Sequence, residues 1–314
     1  MFRGPEDPYV CRIRQPALSF SSGVPSSHIL VTRSSTTKGR SFADTMKITA
    51  TIITLNEEAN VQRALESLGW ADEIIVVDSG SSDRTVEIAR RFTDKVIVKD
   101  WPGYSAQKNF AAEQASNDWI FSLDADEELS TQLISEIATV KRALDAEQAS
   151  SIASSAQGLN VAGYEMPRLC RYMGRWIKHS GWYPDYKLRL YNRKAGCWKG
   201  EFVHESVKVQ GEVRRLHGDL LHYTVRSASE HHQRMDRYTT LAAEEMRKNG
   251  KRASAGALMI SPVTAFIRSY IFRLGVLDGT PGVAIAYFAA HYAFLKSVKL
   301  WEMGKRRRSE ERNG

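Results

Sequence analysis

The stretch ITATIITLNEE, residues 48–58, decides the fold, because a β-branched run ends there in a polar turn. Such a run is typical of a strand that is buried on both faces, as strands of parallel sheets are. Comparable runs occur at EIIVVD (73–78), KVIVK (95–99) and WIFSL (119–123), each followed by a segment with helical spacing. This strand–helix alternation predicts an α/β fold with a doubly wound, mostly parallel sheet.

Polar residues mark the ends of three of these strands. Asn56 and Glu57 follow the first strand, Asp78 ends the second, and Asp124 ends the fourth. In open parallel sheets, ligands bind beyond the carboxyl ends of the strands. The four side chains are therefore expected to border one binding site.

The composition excludes several classes of protein. Of 314 residues, 42% are hydrophobic and 10% are aromatic, which is enough for a buried core and excludes wholesale disorder. The three cysteines are too few and too scattered for a disulfide framework or a thiolate zinc site. The sequence has no stretch of about 18 uncharged apolar residues, which argues against a conventional membrane-spanning helix.

The net charge of +8 hides an asymmetry along the chain. Residues 46–150 hold 10 basic and 19 acidic side chains, whereas residues 151–314 hold 28 basic and 14 acidic ones. The acidic part suggests carboxylates gathered around a metal ion or sugar hydroxyls. The basic part suggests an anionic partner, such as phosphate, nucleic acid or a membrane surface. Ordinary solvated surfaces are the alternative explanation.

The composition also divides the chain into three regions. Residues 1–45 are rich in Ser, Thr, Arg, Gly and Pro and predict a disordered N-terminal extension, with Met46 as the natural start. Residues 46–225 predict the α/β domain, with a small, polar linker at 145–160. Residues 226–314 predict a helical C-terminal region.

The sharpest chemical feature is Asp124-Ala125-Asp126, with Glu128 two residues further along as an additional ligand. Two carboxylates one residue apart on a turn can face one divalent ion. Mg²⁺ and Mn²⁺ take carboxylate oxygens together with substrate phosphates, and such an ion neutralises a pyrophosphate leaving group. Carboxylates on an ordinary surface turn are the alternative, which the matching strand ends disfavour.

The order of the motifs ITLNEE (53–58), VVDSGSSDRT (76–85) and SLDADEEL (122–129) resembles glycosyltransferase family 2, which has the GT-A fold. The later segments GWYPDYKLRLYNR (181–193) and GEFVHE (200–205) resemble the branch that includes lipopolysaccharide core β-glycosyltransferases. The resemblance implies an inverting, metal-dependent transfer of a sugar from a nucleotide sugar, usually a UDP-sugar.

The resemblance also implies roles for the strand-end residues. Glu57 and Asp78 would contact the nucleoside together with Asn56, and Asp124 would lie near the ribose. Asp126 would bind the metal ion, Mg²⁺ or Mn²⁺. The residues themselves leave other roles open, since a helix dipole favours an acid at Glu57 and Asp78 can cap a helix.

Inversion in a single displacement needs a general base on the acceptor hydroxyl, opposite the leaving diphosphate. Asp185 and Glu205 are the candidates, and neither spacing decides between them. Glu205 is preferred, because His204 beside it could orient it or touch the metal ion or the diphosphate. The alternatives are a structural strand-end pair at 204–205 and a turn residue after Pro184.

Two apolar stretches dominate the C-terminal region. Residues 282–295 (GVAIAYFAAHYAFL) carry no charge, and residues 263–277 mix aromatic and aliphatic side chains with Arg268 and Arg273. Because both are too short or too charged to span a bilayer, we expect an interfacial helix pair on an anionic membrane surface. Packing onto the α/β domain or onto a dimer partner is the alternative.

Together these features predict a peripheral enzyme at the cytoplasmic face of the inner membrane. It would transfer a hexose, with UDP-glucose as the first choice of donor, to a lipid-linked saccharide such as lipopolysaccharide inner core. One alternative is transfer to a polyprenyl phosphate, an acceptor that needs no strong base. Another is a non-catalytic, basic scaffold that binds anionic lipid or nucleic acid. The sequence has no RNA-recognition or zinc-finger signature, so we predict no nucleic-acid partner.

Overall fold

The computed structural model describes residues 46–200 apart from 155–160, and then 205–225 and 227–313, without side chains at 147–154 and 306–313. The predicted extension at 1–45 lies outside the described residues. The strands of the first half are β1 (Ile48–Thr54), β2 (Glu73–Asp78), β3 (Val96–Val98), β4 (Trp119–Asp124) and β5 (Glu127–Leu129). The helices of the first half are α1 (Val61–Glu66), α2 (Thr85–Ala89), α3 (Tyr104–Glu113) and α4 (Thr131–Ser154).

The second half begins with strands and ends with helices. The strands are β6 (Val161–Tyr172), β7 (Arg175–Ile177), β8 (Asp185–Asn192), β9 (Gly196–Lys199), β10 (Ser206–Val209), β11 (Glu212–Arg215) and β12 (Leu220–Val225). The helices are α5 (Ala228–Lys248), α6 (Ala255–Ile267) and α7 (Thr280–Asn313), with a π-helical turn (Arg268–Phe272) and a 3₁₀ turn (Gly275–Asp278) before α7.

The main sheet of the described residues has ten strands, with β3-β2-β1-β4-β8-β6-β12-β5 in order and β7 and β11 paired to β6. Strands β3, β2, β1 and β4 are parallel neighbours, as the strand–helix alternation predicts. Strand β8 then lies antiparallel to both β4 and β6, so the second half of the sheet is mixed. The parallel part brings the carboxyl ends of β1, β2 and β4 to one edge.

Helices cover both faces of the parallel strands. On one face, α1, α2 and α4 bury apolar side chains against the sheet, among them Leu65, Ile88 and Ile137. On the other face, α3 and the separate β9–β10 hairpin pack through residues such as Ala111 and Trp198. The predicted α/β fold with a doubly wound, mostly parallel sheet is therefore confirmed.

The structure corrects the predicted linker at 145–160, because α4 continues as far as Ser154. The segment DAEQAS (145–150) contains Ala, Glu and Gln, which are good helix formers. Small and polar residues therefore extend this helix rather than end it. Residues 155–160 lie outside the described residues.

The C-terminal region is helical, as predicted. Asp278, in the turn before α7, binds the loop that follows β7. Asp278 is buried, and its carboxylate accepts hydrogen bonds from the Ser180 hydroxyl at 2.9 Å and the Lys178 backbone N–H at 3.3 Å. His179 Nδ1 lies 3.0 Å from the same carboxylate. A buried carboxylate must be hydrogen-bonded to be tolerated, so these contacts fix the turns before α7.

One helical segment, Ala255–Phe272, is long and apolar enough to cross a membrane by length and composition, and only 6% of it is buried inside the protein. The sequence predicts no such span, because Arg268 interrupts the apolar run. Arg268 lies near the end of the 18-residue segment, so the mean hydropathy of the segment is still high enough for a membrane-spanning helix.

We expect the free energy of unfolding to fall between pH 4.5 and pH 2 through Glu73. Burial raises the pKa of Glu73, but hydrogen bonds from Lys95, Thr49 and Ser116 outweigh burial and lower it to about 2. A lowered folded-state pKa stabilises the fold above the ordinary value of 4.5, and this contribution is lost as the pH falls towards 2.

Glu73→Gln should be less stable at pH 7 and lose less stability on acidification. Urea unfolding at several pH values tests this, and parallel pH profiles for the two proteins would contradict it.

Candidate functional site

A cleft with a volume of about 1920 Å³ lies between the carboxyl edge of the sheet and helices α5 and α6. Asp124 at the end of β4, Lys108 of α3, Arg189 of β8 and His222 of β12 line it, together with Glu205. Five separate segments of the chain therefore meet at one edge of the sheet. A concave site with converging polar groups is the usual form of an enzyme active site.

Asp124 is held between two cations. Its carboxylate oxygens lie 2.7 Å from Lys108 Nζ and 2.5 Å from Arg189 Nη2. Burial raises the pKa of Asp124, but the positive charges of Arg189 and Lys108 outweigh burial and hold the pKa well below its usual range. Asp124 is therefore ionised and fixed in orientation.

Glu127 is the site carboxylate that the sequence did not single out. It is fully buried and lies 2.6 Å from the same Arg189 Nη2, and Arg168 is 3.7 Å away. Its other oxygen accepts the backbone N–H of Asp124 at 3.2 Å. Glu127 thus ties the Asp124 turn to β8. The available signal was the alternation of β5, in which Glu127 shares the buried face with Leu129.

Asp126 faces a histidine rather than a cation pair. Its Oδ2 lies 3.2 Å from Nε2 of His222, whose Nδ1 is 3.4 Å from Cys170 Sγ. Burial lowers the pKa of His222, but the hydrogen bonds with Asp126 and Cys170 outweigh burial and raise it to about 10. The structure therefore adds His222 to the candidate site. Its contact follows from the pairing of β12 with β5, which no local pattern encodes.

Glu128 has partners of its own. Tyr223 donates its hydroxyl to Glu128 at 2.8 Å, and Arg63 Nε lies 3.1 Å from the other carboxylate oxygen. The Arg63 guanidinium also stacks over the Tyr223 ring, 3.5 Å from its centroid. In this arrangement Glu128 joins α1 to β12, and a role as metal ligand would require it to leave both partners.

The ends of β1 and β2 are tied to each other. The Asn56 side-chain oxygen accepts the Ser82 backbone N–H at 2.8 Å, and the Glu57 carboxylate accepts Asn60 Nδ2 at 2.7 Å. Asp78 is fully buried, and its two oxygens accept four hydrogen bonds from Thr54 and from the turn that follows it. The carboxylate of Asp78 therefore orders this turn, and contact with a nucleobase would require one of these bonds to open.

The two candidate bases stand in different surroundings. Glu205 lines the cleft, and its buried Oε2 has no hydrogen-bond partner among the described residues. Asp185 lies 2.6 Å from Arg168 and 3.0 Å from Lys187. Burial raises the pKa of Asp185, but these two cations outweigh burial and lower it. His204, the predicted neighbour of the base, lies outside the described residues.

Comparisons with known proteins identify the family of this chain. The model of Glycosyl transferase family 2 matches residues 49–196. The uncharacterized glycosyltransferase RT0209 of Rickettsia typhi is 34% identical over 274 residues, which are 84% of this chain and 89% of that protein. The lipopolysaccharide core biosynthesis glycosyltransferase LpsC of Rhizobium meliloti is 31% identical over 265 residues, 82% of this chain and 93% of that protein. The chain belongs to glycosyltransferase family 2.

The resemblance seen in the motifs is thus confirmed, including that to lipopolysaccharide core enzymes, and the fold is of the expected GT-A type. Among solved structures, residues 1–349 of S. aureus TarS superpose with a TM-score of 0.38 at 14% identity, over 83% of this chain and 92% of that one.

Proposed function

We propose that this family 2 glycosyltransferase moves a hexose, with glucose as the first choice, from a UDP-sugar to a lipid-linked saccharide such as lipopolysaccharide inner core, with inversion at the anomeric carbon. The similarity to LpsC supports the acceptor class. The observation that carries the mechanism is the carboxylate oxygen of Glu205, which has no hydrogen-bond partner within the described part of the chain and lies in the cleft that Asp124 also lines.

Glu205 is the proposed general base. In the proposed step the acceptor oxygen attacks the anomeric carbon as the bond to the diphosphate breaks, and the hydroxyl proton passes to Glu205. A base needs an oxygen that is free to accept this proton. Glu205 offers one, whereas both oxygens of Asp185 are engaged by Arg168 and Lys187. Asp185 is then a positioning residue for Arg168.

The nucleoside end of the donor is proposed to lie at the joined ends of β1 and β2. Asn56 and Glu57 would contact the base or ribose, and Asp78 would support the turn at 79–83 against which the base rests. Asp124 would present its carboxylate edge to the ribose while Lys108 and Arg189 keep it ionised. Serine hydroxyls and backbone N–H groups in this turn supply further donors and acceptors.

A divalent metal ion fits the chemistry of the donor set at Asp126 and His222 when it displaces the proton that the raised pKa of His222 favours on the imidazole. A carboxylate oxygen and an imidazole nitrogen already converge there, 3.2 Å apart. Mn²⁺ accepts this combination, and Mg²⁺ is commonly held by one or two carboxylates with substrate phosphates completing the shell. Among the described residues no cluster of three or more His, Cys, Asp or Glu side chains forms a ready-made metal site. When bound, the ion would neutralise charge on the leaving diphosphate.

A donor screen tests the proposed activity and its metal dependence together. Nucleotide release from a panel of sugar nucleotides, with extracted lipid acceptor, should be fastest with a UDP-hexose and should stop in EDTA. Asp126→Asn should abolish release and weaken Mn²⁺ binding measured by electron paramagnetic resonance, because it removes the anionic ligand. Asp94→Asn, at an exposed residue after α2, is the control. Turnover that survives EDTA would refute the proposed metal dependence. Absence of any nucleotide-sugar binding would refute the proposed enzymatic activity.

Association with the cytoplasmic face of the inner membrane is proposed from the exposed apolar surface of the C-terminal helices. Met259, Ile260 and Val263 of α6, and Ile271 and Phe272 of the π-helical turn, are all more than half exposed. Several exposed apolar side chains within one helical segment indicate a contact surface, and lipid is the partner that a lipid-linked acceptor would require. Basic side chains follow the patch in the chain, where Lys305 lies 4.1 Å from the Trp301 ring.

Replacing exposed apolar side chains should release the protein from lipid. Met259→Ser with Phe272→Ser removes two side chains that are 75% and 79% exposed, and each would lose its burial in the acyl boundary. We expect sedimentation with phosphatidylglycerol vesicles to weaken at least about ten-fold. Val98→Ser, at a 58% exposed residue on β3, is the matched control. Equal sedimentation of all three proteins would contradict the interfacial assignment.

A further inference from the structure

In the part of the chain that the structure describes, the side of the cleft formed by α5 and the segment between α6 and α7 carries cations that have no acidic partner. Arg237, Lys248, Arg268 and Arg273 all line the cleft, and none has a carboxylate within 4.0 Å among the described residues. The other cations of the lining are already paired, namely Lys108, Arg168, Lys187, Arg189 and Arg234. Two carboxylates of α5, Glu244 and Glu245, also line this side without neutralising these four cations.

Arg237 lines the same cleft as the proposed base. Burial raises the pKa of the nearby Tyr104 hydroxyl, Tyr238 and Glu205 raise it further, and Arg237 lowers it. All four side chains line the cleft. Arg237 and Glu205 therefore face the same cleft.

Arg273 is held in place by the loop after β7. Its carbonyl accepts the Ser180 backbone N–H at 2.8 Å, and its guanidinium lies so close to Gly181 that a Cβ there would be 2.1 Å from Nη1. Gly181 has a φ of +81°, a conformation that also favours glycine. The absence of a side chain at residue 181 thus leaves the space that this guanidinium occupies.

A guanidinium that is fixed but unpaired is prepared to bind an oxyanion. Arginine presents its donors in a rigid fork that matches carboxylate and phosphate groups. In the proposed function the donor diphosphate lies near Asp126 and His222, which belong to the sheet side of the molecule rather than to the helical side of the cleft. The three arginines on the helical side are therefore available to a different anion.

Building on the proposed function, we propose that the acceptor saccharide carries an anionic substituent, a phosphate or a carboxylate, which Arg237, Arg268 and Arg273 bind. The substituent is a recognition group, and the nucleophile remains a sugar hydroxyl that faces Glu205. The C-terminal helices would then select the acceptor, and the α/β core would hold the donor.

The probe is a water-soluble core oligosaccharide made by deacylating lipopolysaccharide. It is used as released, after phosphatase treatment, and after amidation of its carboxylates. Arg237→Gln and Arg268→Gln should raise the acceptor KM about 10- to 100-fold, with the effect on KM rather than on kcat, because each removes charged hydrogen bonds to the substituent.

Arg247→Gln is the control, since Arg247 is exposed on α5, the helix that carries Arg237, and is absent from the cleft lining. One of the two chemical treatments should raise the KM of the wild-type protein and leave the variants unchanged.

Three results would overturn the inference. The first is equal KM for the native and both treated oligosaccharides. The second is loss of vesicle binding by Arg268→Gln without any change in the KM of the soluble acceptor, which would assign the arginine to lipid headgroups. The third is an acid-labile glycosyl phosphate as product, which would make the phosphate the nucleophile.

Calorimetric binding of the same oligosaccharide separates this inference from the proposed function, because binding requires no turnover. If no sugar nucleotide is cleaved but Arg237→Gln still weakens binding, the proposed function fails and the anionic site stands. If transfer proceeds and Arg237→Gln binds as tightly as the wild-type protein, the proposed function stands and the anionic site fails.

Discussion

Glu205→Gln is expected to lower kcat by about 10²- to 10⁴-fold, the usual contribution of a general base. The amide keeps the shape of the side chain but cannot take the proton from the hydroxyl group of the acceptor saccharide. Its effect should fall on kcat, because Glu205 is proposed to act on the reacting hydroxyl rather than on substrate binding. Steady-state rates with the UDP-sugar and lipid acceptor measure this loss, and circular dichroism with UDP titration checks that the variant is folded and binds the donor.

Asp185→Asn is the matched comparison. Asp185 is engaged by Arg168 and Lys187, so its amide variant should lose far less activity than Glu205→Gln. The reverse order would assign the base to Asp185. Full activity in both variants would favour the polyprenyl-phosphate alternative, whose acceptor is already ionised.

The sequence predicts the donor half of the molecule well. The buried strands β1, β2 and β4 agree with prediction to within one residue, because each β-branched or aromatic run stops at a polar residue that begins a turn. The location of Asp124 at the edge of the sheet follows from the same local pattern. A single sequence reveals those parts of a fold that are encoded in the hydrophobic pattern of neighbouring residues.

The charge network of the site depends on distant pairings and could not be read in this way. Arg189 and Glu127 are 62 residues apart, and they meet because β8 joins the sheet antiparallel to β4. His222 meets Asp126 across 96 residues through the pairing of β12 with β5. The alternating charges of 187–193 leave open a contact with phosphate or a solvated strand face. The position of β8 beside β4 in the sheet instead directs Arg189 inward.

Arg189 therefore stabilises the fold and also orients a carboxylate of the candidate site. Its Nη2 lies within hydrogen-bond distance of both Asp124 and Glu127, and the side chains of Arg189 and Glu127 are 4% and 0% exposed. Burial lowers the pKa of Arg189, but the charges of Asp124 and Glu127 outweigh burial and raise it above its usual range. The arginine is thus a permanent cation that compensates two acids, of which Glu127 is fully buried and Asp124 is 28% exposed.

Arg189→Met should lower the free energy of unfolding by about 3–5 kcal/mol, because it leaves the Glu127 carboxylate buried and without its main counter-charge. Urea unfolding at pH 7 measures the change. Arg91→Met is the control, since Arg91 is 55% exposed and pairs with Glu87 on the surface, where an ion pair contributes at most about 1 kcal/mol. Adding Glu127→Gln to Arg189→Met should recover part of the lost stability, because the amide removes the uncompensated charge. A double variant as unstable as Arg189→Met would mean that Arg189 stabilises the site by packing and not by charge.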